Sequence, residues 1–187
     1  MLLLEYVYGS RLSARGRPAT AELQTVATLL RNLHIRAEGD YPDLWRHVEK
    51  HHSTIAATRR LSAPARAIAD EAHHALAELP RERFLLHGDL HAANIILTND
   101  RATVIDPYGL VGDRAYDIAF VAVTSPADQE RVLAALGHCY GVALNGLTAW
   151  FRWLAVYRLD NAMRNGLPTT PTLQALVERL IHQPFPP

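Results

Sequence analysis

The sequence predicts a mostly helical α+β protein, in which a small patch of short strands separates two groups of helices. Apolar residues recur at helical spacing before residue 80 and again after residue 112, whereas the segment between them holds short runs rich in β-forming residues. Hydrophobic residues make up 49% of the 187 residues and charged residues 20%, which indicates a packed core and excludes a disordered chain.

The chain opens with a predicted strand, a loop and an amphipathic helix. Leu2–Val7 is a short apolar run that ends at a Tyr-Gly-Ser turn, and Ser13–Pro18 is a loop rich in Arg and Gly. Thr20 is a candidate cap for the first helix. The apolar stripe of that helix consists of Leu23, Val26, Ala27, Leu30 and Leu33.

Two more helices are predicted before the strand patch. Pro42 opens a helix that runs to about Arg59. Ser62, with Pro64 just inside the helix start, marks a third helix that ends near Pro80.

The strand patch follows in three pieces, Phe84–His87, Asn94–Leu97 and Ala102–Ile105. The turn-prone pair Asn99–Asp100 stands between the last two, which predicts that they pair as a hairpin. Such a hairpin would bring Asp106 back beside the start of the preceding strand.

Helices resume in the last third of the chain. One spans Asp117–Val123, and Ser125–Asp128 is typical of the start of the next. Leu147–Met163 is apolar nearly all round, which predicts a buried central helix. Thr170–Pro171 opens the last helix.

The composition bears on three questions, namely nucleic-acid binding, cellular location and membrane insertion. The formal net charge is zero, which gives no support for nucleic-acid binding. A single cysteine, Cys139, allows no intramolecular disulfide, so a cytoplasmic location is expected. Met1–Leu4 is too short for a signal peptide, and no run of about 18 apolar residues exists that would predict a membrane span.

The chemically informative segment is Leu86–Leu97 together with a downstream Ile-Asp pair. Phosphoryl transfer needs a carboxylate that accepts or orients the proton of the attacking hydroxyl, and an amide oxygen and a second carboxylate that hold Mg²⁺. Asp89, Asn94 and Asp106 supply these three groups, and the predicted turn and hairpin bring them to one cleft. Taken singly, each would more often be a structural loop residue, so the hypothesis depends on their joint spacing.

These residues resemble a known family. The pattern HGDxxxxN from His87 to Asn94, followed by Ile105–Asp106, is similar to the signature of aminoglycoside phosphotransferase-like kinases, relatives of the protein kinases. The longer run Ile105–Gly112 resembles the streptomycin 6-kinase and hydroxyurea phosphotransferase branch. The resemblance implies a protein-kinase-like C-lobe over 11–187, with 1–10 as the hinge strand that joins two lobes.

The resemblance also implies roles for individual residues. Asp89 would be the catalytic base, and Asn94 and Asp106 would be Mg²⁺ ligands. His87 would belong to the scaffold of the loop, and Asp117 would match the buried Asp that braces it. Alternatively, Asp117 would only cap a helix.

The expected cosubstrate is ATP with Mg²⁺. By resemblance, the backbones of Glu5 and Val7 would bind the adenine edge, and Ile96 and Ile105 would form an apolar floor beneath it. The segment Met1–Glu5 would otherwise be an ordinary edge strand.

The expected acceptor is a small molecule, first a streptomycin-like aminoglycoside and second a hydroxyurea-like compound. Asp40, Asp43 and Asp160 are candidates for the acceptor surface, because a polycation favours carboxylates. Salt-bridged surface positions are the alternative, given Arg158 and Arg164 nearby.

The parts of a kinase that cover ATP are not recognisable here. The single lysine, Lys50, falls in a predicted helix, so an N-lobe with a strand-borne lysine is expected to be absent. A truncated gene or mis-called start, a single-lobe fragment and a genuinely short non-catalytic protein would each account for this. We expect little or no activity from the chain alone. The alternative function is a remnant lobe that acts as a binding module, and apolar surface at Leu2–Leu4 and Ile96 would favour self-association.

A different chemistry remains open as a minor alternative. His87, Asp89 and His91 alternate along the loop, and His73–His74 could add a ligand to a metal-hydrolase site. That alternative leaves Asn94 and the Ile105–Gly112 run without a role.

Overall fold

The computed structural model describes residues 7–14, 16–98, 101–126 and 128–183, and it has the predicted α+β architecture dominated by helices. The segments of regular structure alternate as predicted, with the strands confined mainly to the middle of the chain. They are β1 (Ser10–Arg11), α1 (Thr20–Leu33), α2 (Leu44–Ala57), α3 (Ala63–Ala77), β2 (Phe84–Leu86), β3 (Ile95–Leu97), β4 (Ala102–Val104), β5 (Leu110–Gly112), α4 (Ala115–Val123), α5 (Gln129–Tyr140), α6 (Leu144–Arg164) and α7 (Pro171–Ile181).

The first helix starts differently from the prediction. Thr20 is already inside α1, and the residue that caps the helix is Ala19, which has extended backbone angles. Glu22 stabilises this start, because its carboxylate accepts a hydrogen bond from the Ala19 N–H at 2.8 Å. The cap is therefore supplied from within the first turn, where a carboxylate also complements the helix dipole.

The second helix also starts later than Pro42 suggested. Asp43 is its cap, and one carboxylate oxygen accepts hydrogen bonds from the N–H groups of Trp45 and Arg46 at 2.8 and 3.1 Å. The predicted starts of α3 and α7 are confirmed. Ser62 and Thr170 cap them through their side-chain oxygens, each with a proline in the first turn.

The strands form two small antiparallel groups. In the first, β3 lies between β1 and β4, and Ile95 pairs with Val104 as the predicted hairpin requires. In the second, β2 pairs with β5. Strand β5 was not predicted, because this three-residue strand is defined by its pairing with the distant β2.

Helix α6 is the centre of the helical body, as its apolar sequence predicted. It packs against α3 and α4, while α1 packs against α5. Trp150 and Trp153 are fully buried, and the Trp150 indole donates a hydrogen bond to the buried Asp113 carboxylate at 2.7 Å. Along the ranges described above, no helix combines the length and apolar character needed to cross a membrane.

Candidate active site

The loop that follows β2 carries the candidate catalytic residues and is fixed through its backbone. The His87 carbonyl accepts hydrogen bonds from the N–H groups of Tyr108 and Gly109 at 2.9 and 3.0 Å, and its ring contacts the Ile105 carbonyl at 2.9 Å. Gly88 has φ +80°, and a Cβ there would lie 3.0 Å from the Leu110 side chain. Glycine is therefore required at this turn by both conformation and space.

Asp117 holds the start of the loop from below. Its carboxylate is fully buried and accepts hydrogen bonds from the N–H groups of His87 and Gly88 at 2.7 and 3.0 Å. The His34 ring lies 3.1 Å from the same carboxylate. A buried carboxylate that loses its partners costs free energy, so these three contacts are strongly favoured. They fix the backbone at Gly88, the residue that precedes Asp89.

His34 is a residue that sequence reasoning missed. Its other ring nitrogen lies 2.9 Å from the Tyr140 hydroxyl, so a chain of contacts links α1, α5 and the start of α4 to the loop. A lone histidine at the end of an apolar helix gives no sequence signal of this role. The chain Asp117, His34 and Tyr140 is hereafter the loop brace.

The three proposed catalytic and metal-binding residues are brought to adjacent positions. The Asp89 side chain is 42% exposed, and the Asp89 carbonyl accepts a hydrogen bond from the Asn94 amide at 3.0 Å. Asn94 is 6% exposed, and its carbonyl accepts from the Ile105 N–H at 3.1 Å, which places Asp106 next to it across the hairpin. Asp106 is exposed and has the uncommon φ of +59° for a non-glycine residue.

Asn94 and Asp106 suit a hard cation. Because the Asn94 amide nitrogen already donates to the Asp89 carbonyl, the side-chain oxygen is the atom left for a metal. Together with the exposed Asp106 carboxylate it gives oxygen ligands, and Mg²⁺ in proteins is commonly held by one or two such groups plus substrate phosphates. The donor set therefore fits magnesium.

Two neighbouring cavities open beside Asp89. A small one of about 270 Å³ is lined by His47, Asp89, Tyr108, Tyr157 and other residues. A wider cleft of about 790 Å³ shares His47 and Tyr108 with it and extends along the start of α2. His47 and the two tyrosines were not predicted as site residues, since their spacing along the chain has no pattern.

Two imidazoles of α2 are held neutral, namely His47, which lines both cavities, and His51, whose ring contacts that of His47. Burial, with Lys50 adding to it, lowers the pKa of His47. Burial also lowers the pKa of His51 to about 4, with His47 and Arg164 as further causes. The His47 and His51 rings lie 4.3 Å apart and the His51 ring lies 4.8 Å from the Tyr157 ring, so the three rings form an uncharged array. His51 is half-buried.

The candidate acceptor carboxylates differ in where they lie. Asp40 is exposed and lines the wider cleft. Asp43 lines it too, but one of its oxygens caps α2. Asp160 does not fit the expectation of a cleft-lining carboxylate, because its side chain is fully buried and lies 3.5 Å from Arg164.

The residues expected at the nucleotide are only partly described. Glu5 and Leu2–Leu4 lie outside the described residues. Val7 is half-buried and precedes β1, while Ile96 is half-buried on β3. Ile105 is half-buried and follows β4. Each isoleucine therefore lies close along the chain to one proposed metal ligand, Ile96 to Asn94 and Ile105 to Asp106.

The metal-hydrolase alternative finds no support in the structure. Among the described residues, no group of three or more His, Cys, Asp or Glu side chains could hold a metal ion. His73 lies 3.1 Å from Glu49 and stacks on His52 with ring centroids 3.9 Å apart, so it packs between helices α2 and α3.

Comparison with solved structures identifies the fold. A choline/ethanolamine kinase family protein from Mesorhizobium loti gives a TM-score of 0.64 at 17% identity, with 87% of this chain and 63% of that chain covered. Choline kinase LicA from Streptococcus pneumoniae gives 0.58 at 17% identity, with 87% and 63% covered. The aminoglycoside phosphotransferase APH(4)-Ia, in a complex with AMP-PNP and hygromycin B, gives 0.58 at 17% identity, with 94% and 69% covered. The predicted kinase-like fold is thereby confirmed.

Sequence comparison identifies the family. The streptomycin 3''-kinase of Klebsiella pneumoniae is 41% identical over 85 residues, which are 44% of this chain and 30% of that protein. The matched part is thus under a third of this curated relative's length. Residues 1–140 match the family described as aminoglycoside/hydroxyurea antibiotic resistance kinase. On this match, together with the braced Asp89 loop, the chain belongs to the aminoglycoside/hydroxyurea antibiotic resistance kinase family.

Proposed function

We propose that this site transfers the γ-phosphoryl group of ATP to a hydroxyl of a small-molecule antibiotic, with streptomycin-like and hydroxyurea-like compounds as the two acceptor classes to test. The observation that carries the proposal is the position of Asp89. It stands on a braced loop, with the Asn94 and Asp106 pair beside it and an open cavity next to it. The proposed setting is the cytoplasm, where ATP is available.

The proposed role of Asp89 is to orient the acceptor hydroxyl and to take its proton. A partly exposed carboxylate next to a cavity can reach a bound hydroxyl, and positioned proton acceptors of this kind contribute about 10²–10⁴-fold in rate. The loop brace supports this role indirectly, because it fixes the backbone that carries Asp89.

Asn94 and Asp106 are the proposed magnesium ligands. When bound with ATP, magnesium would neutralise charge on the phosphates. Asn94 and Asp106 would each supply an oxygen ligand, and the hairpin holds both residues at its base. His87 is proposed as scaffold rather than proton carrier, since its ring already contacts the Ile105 carbonyl.

We further propose that the 187-residue chain alone has low activity. Lys50 lies in α2 and lines the wider cleft, so it does not occupy the strand position from which kinases pair a lysine with the ATP phosphates. Among the residues that the structure describes, no strand carries a lysine. Removing one such preorganised contact commonly lowers rates by about 10²–10³-fold.

The test is acceptor-dependent transfer of labelled phosphate from Mg·ATP by the chain and by its Asp89→Asn variant, with streptomycin and hydroxyurea as acceptors. Slow transfer that disappears in the variant is expected. Transfer that survives in the variant would refute the role of Asp89. Turnover at the roughly 1–100 per second of typical kinases would refute the low-activity proposal. Binding of Mg·ATP or acceptor without any transfer would favour the non-catalytic binding module.

A further inference from the structure

His47 and Tyr108 stand where two cavities meet. Of the described residues, these two alone line both the cavity of about 270 Å³ beside Asp89 and the wider cleft of about 790 Å³. A ligand that extends from Asp89 into the wider cleft therefore passes both side chains, whereas a compound that occupies only the cavity beside Asp89 does not extend beyond them. The pair His47 and Tyr108 is hereafter the junction.

The junction presents an aromatic surface on a fixed backbone. The Tyr108 N–H donates a hydrogen bond to the His87 carbonyl at 2.9 Å, while Tyr108 as a whole is 64% exposed. The centre of the His47 ring lies 6.0 Å from that of the Tyr108 ring and 6.2 Å from that of the Tyr157 ring. Tyr108 thus has a ring face that a ligand can cover, at a place that the loop holds constant.

The junction carries no charge that would repel a cation. Burial lowers the pKa of His47, with Lys50 adding to the effect and Asp89 opposing it, so the imidazole is neutral at neutral pH. The face of a tyrosine ring attracts an ammonium or guanidinium group that lies within about 6 Å of the ring centre. A cationic group of a ligand is therefore favoured at Tyr108 and tolerated at His47.

The charged residues along this path do not select an acceptor by themselves. Asp89 lies in the small cavity and the exposed Asp40 in the wider cleft, so a carboxylate stands on each side of the junction. Cationic side chains line the same path, namely Arg158 in the small cavity and Arg46, Lys50 and Arg83 in the wider cleft. Because both signs of charge occur on both sides, selection between acceptors falls to the uncharged junction.

We propose that His47 and Tyr108 select the acceptor, because the Tyr108 ring binds a cationic group of a streptomycin-like compound whose reacting hydroxyl lies at Asp89. A hydroxyurea-like compound is uncharged and small enough to lie beside Asp89 without this contact. The inference rests on the proposed function and deepens it by naming the residues that tell its two acceptor classes apart. His47 and Tyr108 are specificity-determining residues here, and neither takes part in proton transfer.

The test is equilibrium binding of streptomycin and of hydroxyurea to the full chain without ATP, so it does not depend on phosphoryl transfer. Calorimetric titration measures streptomycin, and ligand-observed NMR measures hydroxyurea. Tyr108→Leu removes the ring face and should weaken streptomycin about fivefold, the size of one exposed cation–π contact. Tyr108→Phe keeps the ring face and should bind streptomycin as the unaltered chain does. Neither variant should change hydroxyurea binding.

A charge placed at the junction gives a second, independent measurement. His47→Lys adds a positive charge beside Tyr108 and should weaken streptomycin about tenfold, while His47→Gln stays neutral and should weaken it less than twofold. His138→Lys is the matched control, since it adds the same charge at an exposed position on α5 that lines neither cavity. It should leave streptomycin binding unchanged.

The proposal is overturned if the unaltered chain does not bind streptomycin, if Tyr108→Phe loses as much affinity as Tyr108→Leu, or if Tyr108→Leu weakens hydroxyurea as much as streptomycin. Equal losses in His47→Lys and His138→Lys would also overturn it, because the added charge would then act through the net charge of the protein. Failure of the proposed function has a separate signature, namely no acceptor-dependent transfer while Tyr108→Leu still weakens streptomycin binding.

Discussion

The Asp89 loop and the cleft beside it, which we propose as catalytic loop and acceptor site, lie side by side but are built in opposite ways. In the loop, His87 and Gly88 have their backbone groups bound to Asp117 or to the segment that follows Asp106. Along the cleft, Arg158 has no hydrogen bond or ion pair with a described residue, and the His47 and His51 rings are kept neutral by burial. Under the proposed function, the difference means that the loop fixes the reacting groups in advance and that a ligand completes the cleft.

Breaking the loop brace is expected to have the largest effect on folding. Asp117→Ala leaves two backbone N–H groups and the His34 ring without their shared acceptor, so the free energy of unfolding should fall by about 3 kcal/mol. Urea denaturation followed by circular dichroism measures the loss. Asp70→Ala, which removes a half-exposed carboxylate of α3 that lies 3.4 Å from the His52 ring, is the matched control and should change stability little. A loss below about 1 kcal/mol for Asp117→Ala would contradict a structural brace.

The turn at Gly88 should give the next effect. Gly88→Ala combines a positive φ with a Cβ only 3.0 Å from Leu110, which predicts a loss of about 2 kcal/mol. Gly141→Ala separates the two causes, because Gly141 also has a positive φ but has open space around it. Its loss should be about 1 kcal/mol in the same denaturation experiment. Equal losses would show that contact with Leu110 is unimportant.

The partly buried histidines of α2 should make the stability of the protein depend on pH. In the unfolded chain, His51 takes up a proton near its ordinary pKa of about 6.5, whereas burial lowers the pKa to about 4 in the folded protein. Stability present above pH 6.5 is therefore lost as the pH falls towards 4, and the urea midpoint should drop over that window. His51→Gln should reduce the drop, while His74→Gln, at an exposed position, should leave it unchanged. The drop should not vanish, because burial also lowers the pKa of His47 and His52.

The smallest effect on stability is expected at the mouth of the cleft. Tyr108 is 64% exposed, so Tyr108→Ala should change the free energy of unfolding by less than about 0.5 kcal/mol. The same substitution should weaken binding of streptomycin, the first acceptor of the proposed function, in an equilibrium titration, since Tyr108 lines the cavity beside Asp89. Tyr41→Ala, in the wider cleft only, is the control for binding. A large stability loss at Tyr108 would remove the contrast between the loop and the cleft.

The same contrast accounts for how much the sequence could predict. The hairpin and the closeness of Asp89, Asn94 and Asp106 in space were predictable, because the contacts that create them join residues close along the chain. The contact of His34 with Asp117 spans 83 residues, so no local pattern predicts it. Asp160 was a candidate for the acceptor surface by resemblance and as a carboxylate suited to a polycation, but helical packing turns it inward towards Arg164.

The loop brace has a consequence for how such a protein can diversify. His34, Asp117 and Tyr140 come from the end of α1, from α4 and from α5, whereas Arg158 and His47, which line the cavity beside Asp89, come from α6 and α2. Substitutions can therefore change the residues that line the cavity while the residues of the loop brace stay the same. Under the proposed function, relatives of this chain would change their acceptor through substitutions on α2 and α6, with the chemistry of the loop preserved.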